Sequence, residues 1–403
     1  MTMTRRDFTR AALAGGAGLG LGFPAFLRRA YAADPIKIGV PAVLSGGNAQ
    51  YGIQAKRACE LFARDIKAKG GVLGRPVEFI LEDTTGDPAT AVRKAQKLVE
   101  KDGVKFLTGI VLSSEALAVS AKCPEWKVLF MSSFTGVGAL TAAKFNRYSF
   151  RPNTSGPMGA RTVSLYLGES PMKRFYGLGS DYAWGRDSVG SFDRQMTAAK
   201  KEIVGKDFPP VGTKDFASYI AKVKQSKAEG CFLVLVGQDA SIFFKQAAQF
   251  GLTREVKLVM EIVELENMKV VGDAMAGVIG GSRYPFTIDT PKNRDWVKRF
   301  HDMHNVWPDM FDGETYQALE WLTQAITAAG TDDVEKVIAA LEGSTYEGPE
   351  GMRTMRKCDH QATKTGFIVE AVKDPNYPHL VPKILARYPG ERVTPRCLTE
   401  EFA

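Results

Sequence analysis

The chain has 403 residues, 44% of them apolar and 24% charged, which is enough to bury a large core and excludes a disordered or collagen-like polymer. Forty Gly and 20 Pro are dispersed rather than clustered, so no low-complexity stalk or long linker is expected, and the length favours two domains. The formal charge of +8 points toward nucleic acid only until the N-terminus is read separately.

Residues 4–10 hold the pair Arg5-Arg6, and residues 11–27 are uncharged and contain five Gly before Arg28-Arg29-Ala30-Tyr31-Ala32. A basic start, a weakly apolar stretch and a small-residue end form a cleavable export signal. Twin Arg before a Gly-rich stretch is the address of the twin-arginine route, so residues 1–32 are expected to be removed after Ala32. The 17-residue stretch is short for a bilayer, which takes about 20 apolar residues. Without residues 1–32 the excess falls to about +4, with Lys and Arg interleaved among Asp and Glu as on solvated helix faces. A basic stripe with interleaved aromatics is lacking, so no nucleic-acid partner is expected.

From Pro35 onward, short apolar runs alternate with amphipathic stretches. Residues 36–40 read as a strand. Residues 50–69 read as a helix, with Ala55, Cys59, Phe62 and Ile66 on one face and Gly70-Gly71 as its stop. Residues 77–82 form the next strand, and Asp87-Pro88 caps a helix carrying Ala91, Ala95 and Leu98. Segments 104–110, 114–121 and 128–131 repeat the unit, which implies a parallel sheet covered on both faces. The rhythm breaks at 148–153 and resumes with strands at 174–178, 231–236 and 257–260 and helices around 184–200, 215–227 and 239–250. Three further helical stretches, 291–305, 313–329 and 332–341, lack strands of their own and are expected to return to the first lobe. The expected division is 33–150 with 285–346 in lobe 1, and 151–284 with 347–403 in lobe 2.

Five Cys in an exported protein permit two disulfides at most. Cys59 belongs to a buried helix face, whereas Cys358 and Cys397 lie in the loop-rich C-terminal part and are the pair expected to bond.

Enzyme signatures fail one at a time. No phosphate-cradling Gly-x-x-x-x-Gly-Lys-Ser/Thr, no Gly-x-Ser-x-Gly elbow and no His-Glu-x-x-His occurs. Gly177-Leu178-Gly179 follows a strand, but the third Gly of a dinucleotide fingerprint falls at Tyr182. His301 and His304 make only half a metal site, and Asp359-His360 has no elbow Ser to serve. No catalytic residue, metal or cofactor is therefore expected.

In open α/β sheets ligands collect at the carboxyl ends of strands. In lobe 1 these ends are Leu44-Ser45-Gly46-Gly47, Leu112-Ser113-Ser114-Glu115 and Met131-Ser132-Ser133-Phe134-Thr135. Small hydroxyl residues before a helix suit a carboxylate; each one alone is equally an ordinary N-cap. Lobe 2 offers Ser180-Asp181-Tyr182-Ala183-Trp184-Gly185, Gln238-Asp239 and Glu261. Aromatic walls with an acid suit an apolar body carrying an ammonium. Two unlike lobes facing one cleft make a clamp that closes by hinge bending.

At these residues the chain resembles the type I periplasmic substrate-binding proteins of ABC transporters, in the branched-chain amino-acid (leucine) binding group. The resemblance is carried by Ile36-Lys37-Ile38-Gly39-Val40, Leu44-Ser45-Gly46 with Tyr51-Gly52, Lys69-Gly70-Gly71-Val72-Leu73-Gly74, Glu82-Asp83 with Asp87-Pro88, Gly109 with Ser113-Ser114, Asp181-Tyr182-Ala183-Trp184-Gly185 and Asp359-His360-Gln361. It implies an α/β, two-lobed fold, each lobe a parallel sheet flanked by helices, joined by a three-strand hinge. It implies Tyr51 as an aromatic against the ligand, Ser113 as the hydroxyl on the carboxylate with Ser114 beside it, and Thr135 with Ser133 in the neighbouring carboxylate loop. Trp184 takes the place of the lobe-2 aromatic, and Glu261 or Asp239 that of the acid receiving the ammonium. The implied partners are a small-molecule ligand and an ABC permease complex in the inner membrane, with the protein itself a periplasmic monomer. The lobe-1 disulfide of the amino-acid binders would need Cys at Gly86 and Leu112, and neither is Cys. That departure leaves room for relatives on the same frame with other solutes; the leading ligand implied by the resemblance is a neutral amino acid. The alternatives are an aromatic or other organic carboxylate, an amide or urea, a sensory receptor on the same fold, and, remotely, an α/β enzyme.

Overall fold

The computed structural model describes residues 34–397, so the expected export signal lies outside the described residues. The first sheet holds β1 (Ile36–Ala42), β2 (Val77–Asp83), β3 (Phe106–Leu107), β4 (Leu129–Met131) and β5 (Ser149–Phe150), all parallel, in the order β2-β1-β3-β4-β5. Helix α1 (Ala49–Ala68) connects β1 to β2, burying Ala55, Ala58, Cys59, Leu61 and Phe62 and stopping where Gly70 and Gly71 take positive φ. Helix α2 (Pro88–Glu100) starts at Asp87, whose carboxylate accepts from the Thr90 N–H, and buries Ala91, Ala95 and Leu98. Helix α3 (Ser113–Ser120) follows β3. The strand expected at 104–110 is only two residues long, because Gly109 takes a left-handed φ just beyond β3 and turns the chain toward α3.

The second sheet is built on β6 (Arg174–Gly179), β7 (Glu202–Asp207), β8 (Gly230–Val234), β9 (Lys257–Met260) and β10 (Ile279–Ser282), which run parallel. A small hairpin, β11 (Thr345–Gly348) with β12 (Gly351–Thr354), precedes two C-terminal strands, β13 (Gly366–Val372) and β14 (Val381–Tyr388). These two join the β10 edge antiparallel, so the order is β14-β13-β10-β9-β8-β6-β7 and this sheet is mixed along one side. The helix Gly156–Gly168 is not anticipated from periodicity because residues are buried around most of its circumference.

The helix Met310–Ala329 returns to α1: Tyr316 meets Phe62 with ring centroids 5.5 Å apart, and Arg57 makes a two-pronged ion pair with Asp312. Between the two sheets the chain crosses near Arg151, Arg283 and the 348–363 segment. The fully buried Arg151 pairs in backbone with the 360–362 stretch, and its guanidinium bonds Gln361, Thr141 and the Val137 carbonyl. A disulfide joins Cys358 to Cys397 beside this crossing, Cα to Cα 6.0 Å. Cys59, Cys123 and Cys231 are free and buried.

Candidate functional site

The carboxyl ends of both sheets face one another across an aromatic cavity. Its walls are Tyr51 from the start of α1, Phe134 past β4, Tyr182 and Trp184 past β6, and Phe311 at the start of the returning helix. Tyr51 meets Phe311 edge-on at 5.3 Å, Phe134 lies 4.7 Å from Phe311, and Tyr182 lies 5.9 Å from Trp184. Val236 and Ile262 add apolar surface; Ser113, Glu264 and Arg283 are the polar groups. The cavity volume is about 30 Å³, too small for a solute with the lobes so close, whereas an outer vestibule holds about 480 Å³. The two share Leu112, Tyr182 and Val236, and the vestibule is lined by Ser114, Asn48, Lys214, Gln238 and Asp239 among others.

Glu264 is the acid of the cavity. It sits just before the helix Leu265–Val271, is 1% exposed, and accepts from the Tyr51 hydroxyl (2.9 Å), the Gly237 N–H (3.2 Å) and the Asn267 amide (2.8 Å). Burial, with the Asp309 carboxylate adding to it, pushes its carboxyl up to about 8 against the pull of these donors and of Arg283. The Tyr51–Glu264 bond spans the two lobes. So does Asp309, whose carboxylate accepts from the Leu265 and Glu266 N–H groups. Arg283 directly follows β10, donates to the Phe134 carbonyl at 2.7 Å and lies 5.7 Å from the Phe311 ring centroid.

The anticipated residues divide into three sets. Tyr51, Ser113 and Trp184 line the cavity, while Ser114 and Asp239 line the vestibule. Asp239 there accepts from the Gly212 N–H. Ser133, Thr135 and Glu261 line neither. The Ser133 hydroxyl accepts from Thr108 and Thr315, and that of Thr135 bonds the carbonyls of Ile110 and Val111, so both are spent inside lobe 1. Glu261, wholly buried, lies in a smaller space behind the cavity with Gly159, Thr162 and Arg283.

Glu264, Arg283 and Phe311 line the cavity without having been anticipated from the sequence, whereas Phe134 and Tyr182 lay within the anticipated strand-end segments but were given no role of their own. The available signal for Glu264 was its place as the second acid after β9, immediately before a helix. Arg283 and Phe311 come from segments remote in sequence and carried no local sign. Space for the cluster comes from glycines: a Cβ at Gly136 would stand 2.5 Å from the Trp184 ring, and one at Gly156 2.2 Å from the Ser188 hydroxyl.

The sequence features weighed for catalysis and metal are occupied structurally. His304 bonds the Arg57 carbonyl, and His301 packs on Trp307 at 4.2 Å. Asp359 pairs with Arg356, and His360 stacks on Phe150 at 3.8 Å. Among the described residues the one cluster of three metal-type ligands is Cys358, Asp359 and Cys397, and its sulfurs form the disulfide.

Comparison with known proteins gives the geometry a context. The family model described as periplasmic binding protein matches residues 35–376. A leucine-, isoleucine-, valine-, threonine- and alanine-binding protein of Pseudomonas aeruginosa is 26% identical over 81% of this chain and 87% of its own. An ABC transporter substrate-binding protein from Sphaerobacter thermophilus superposes with a TM-score of 0.82 at 28% identity, over 88% of this chain and 98% of that one. A solute-binding protein of an ABC transporter from Rhodopseudomonas palustris, solved with 3,4-dihydroxybenzoic acid, shares the fold with a TM-score of 0.82 at 24% identity, over 88% and 98% of the two chains.

Proposed function

This chain belongs to the periplasmic binding protein family, in its type I branched-chain amino-acid group, and serves an ABC importer as the solute-binding component; from that premise we propose how it holds its solute and what that solute is. The solute is a neutral amino acid, captured between the lobes and passed unchanged to the permease. Its apolar side chain lies among Tyr51, Phe134, Tyr182, Trp184 and Phe311, and its ammonium rests on Glu264. Its carboxylate meets the Ser113 hydroxyl at the first turn of α3, where helix N–H groups favour an anion.

The carrying observation is the aromatic cavity whose acid, Glu264, is bonded by the opposite lobe through Tyr51. With about 30 Å³ of free volume, entry requires the lobes to part, as in hinge-type capture. The lobes are residues 33–150 with 285–346 and 151–284 with 347–403. The chain works as a monomer without cofactor, nucleic acid or catalysis, after twin-arginine export and removal of residues 1–32. N-terminal sequencing of periplasmic protein, which should begin at Ala33, checks that route.

Titration calorimetry against neutral amino acids tests the ligand class: leucine or a near relative should bind, and Glu264→Gln should abolish that binding at pH 8.5. Retained affinity would sink the ammonium assignment. A second reading, an aromatic carboxylate, is favoured by the five rings of the wall. For such a ligand Glu264→Gln should cost little, so the same variant separates the two.

A further inference from the structure

Behind the aromatic cavity stands an arrangement that stability alone does not explain. Glu261 and Arg283 are 0% and 3% exposed, and their closest charged atoms are 3.9 Å apart, an ion pair without hydrogen-bond contact. Neither carboxylate oxygen of Glu261 accepts a hydrogen bond from the described residues, and Arg283 Nε has no partner among them. A buried pair with polar atoms left over is a net cost to folding, and such exceptions concentrate at functional sites.

The surroundings are shaped to admit both groups. A Cβ on Gly159 would come within 1.8 Å of Glu261 Oε1, and a Cβ on Gly136 within 2.9 Å of Arg283 Nη2. Arg283 lines the aromatic cavity on one side and the Glu261 compartment on the other, so the guanidinium is a partition between them. Among the described residues its hydrogen bond goes to the Phe134 carbonyl, a neutral acceptor, which leaves its charge only partly offset.

We infer that Arg283 is the specificity-determining cation of the cavity, holding the anionic group of the solute, and that Glu261 is its positioning residue, fixing the guanidinium from behind. The inference rests on the reading that this cavity takes the solute. It gives Glu261 a role other than receiving an ammonium: the carboxylate lies on the far side of Arg283 and never touches ligand. Arg283 supplies charge where Ser113 supplies a hydroxyl. Together they select carboxylates over their neutral isosteres.

The experiment measures calorimetric affinity for matched probes, leucine against leucinamide and 4-hydroxybenzoate against 4-hydroxybenzamide. The wild type should favour the carboxylate member of the pair it binds by about tenfold or more, the worth of a charge-assisted hydrogen bond. Arg283→Gln should erase that preference, and Arg283→Lys, which keeps the charge and guards against a folding defect, should retain most of it. Glu261→Gln should change the carboxylate-to-amide ratio while leaving amide affinity nearly constant; a merely structural role would weaken both members equally. Phe311→Ala should weaken both members of the pair. An unchanged ratio in Arg283→Gln, equal losses in Glu261→Gln, or a wild type without carboxylate preference overturns the inference. If Phe311→Ala leaves every affinity untouched, the cavity reading falls first and this assignment with it.

Discussion

Replacing Glu264 by Gln should change how stability depends on pH, by an amount the structure allows to be worked out. In the unfolded chain this carboxyl loses its proton near 4.5, whereas in the folded protein burial holds the proton until about 8. Between those values the folded state binds more protons than the unfolded one, so stability falls as pH rises. The shift of about 3.5 units corresponds to about 5 kcal/mol at 1.36 kcal/mol per unit. For a chain of this size that is roughly 6 °C in melting temperature. Gln keeps the size and the acceptor oxygen for Tyr51 but does not titrate. The difference in melting temperature between wild type and Glu264→Gln should therefore shrink or reverse steadily from pH 4.5 to pH 8. Glu261 and Asp312, both pushed by burial to about 7, give the same sign in both proteins and cancel in that difference. Scanning calorimetry at half-unit intervals reads the effect. Parallel profiles for the two proteins would refute the claim that Glu264 is held protonated by its surroundings.

Other perturbations have equally definite outcomes. Gly159→Ala would press a methyl group onto Glu261 Oε1 and should cost about 1–3 kcal/mol in urea unfolding, the range for overpacking. Cys358→Ser opens a loop with a sequence separation of 39 and should lower stability by about 4 kcal/mol, with reductant having the same effect on the wild type and none on the variant. Tyr51→Phe removes a bond between the lobes while keeping the ring against Phe311. Small-angle scattering of the ligand-free variant should show a more open envelope, and an envelope identical to that of the wild type would count against the bond as a latch.

Local rules carried the alternating architecture of this protein. Asp87-Pro88 before an apolar stripe and Gly70-Gly71 after another are enough to start and stop helices, because capping and left-handed backbone are short-range effects. The same locality made Ser113 and Trp184 legible as cavity-lining residues, since each follows the carboxyl end of a strand in its own βα unit, whereas Tyr51 was implied by the family resemblance. The antiparallel strands β13 and β14 were not legible, because their place depends on an edge of β10 about 90 residues earlier, and nothing local encodes such a pairing.

The choice among acids was tertiary as well. Glu261 and Glu264 are three residues apart past β9, and composition treats them alike. The turn after the strand sends Glu261 behind Arg283 and Glu264 to the Tyr51 hydroxyl. Ser133 and Thr135 look like carboxylate ligands by position, yet hydroxyls at a buried strand end find carbonyls and neighbouring hydroxyls before they reach the cleft. Residue chemistry and helix signals were therefore written in the chain itself. Which charges meet across the cleft was decided by packing, since the energy of a buried charge depends on what surrounds it in three dimensions.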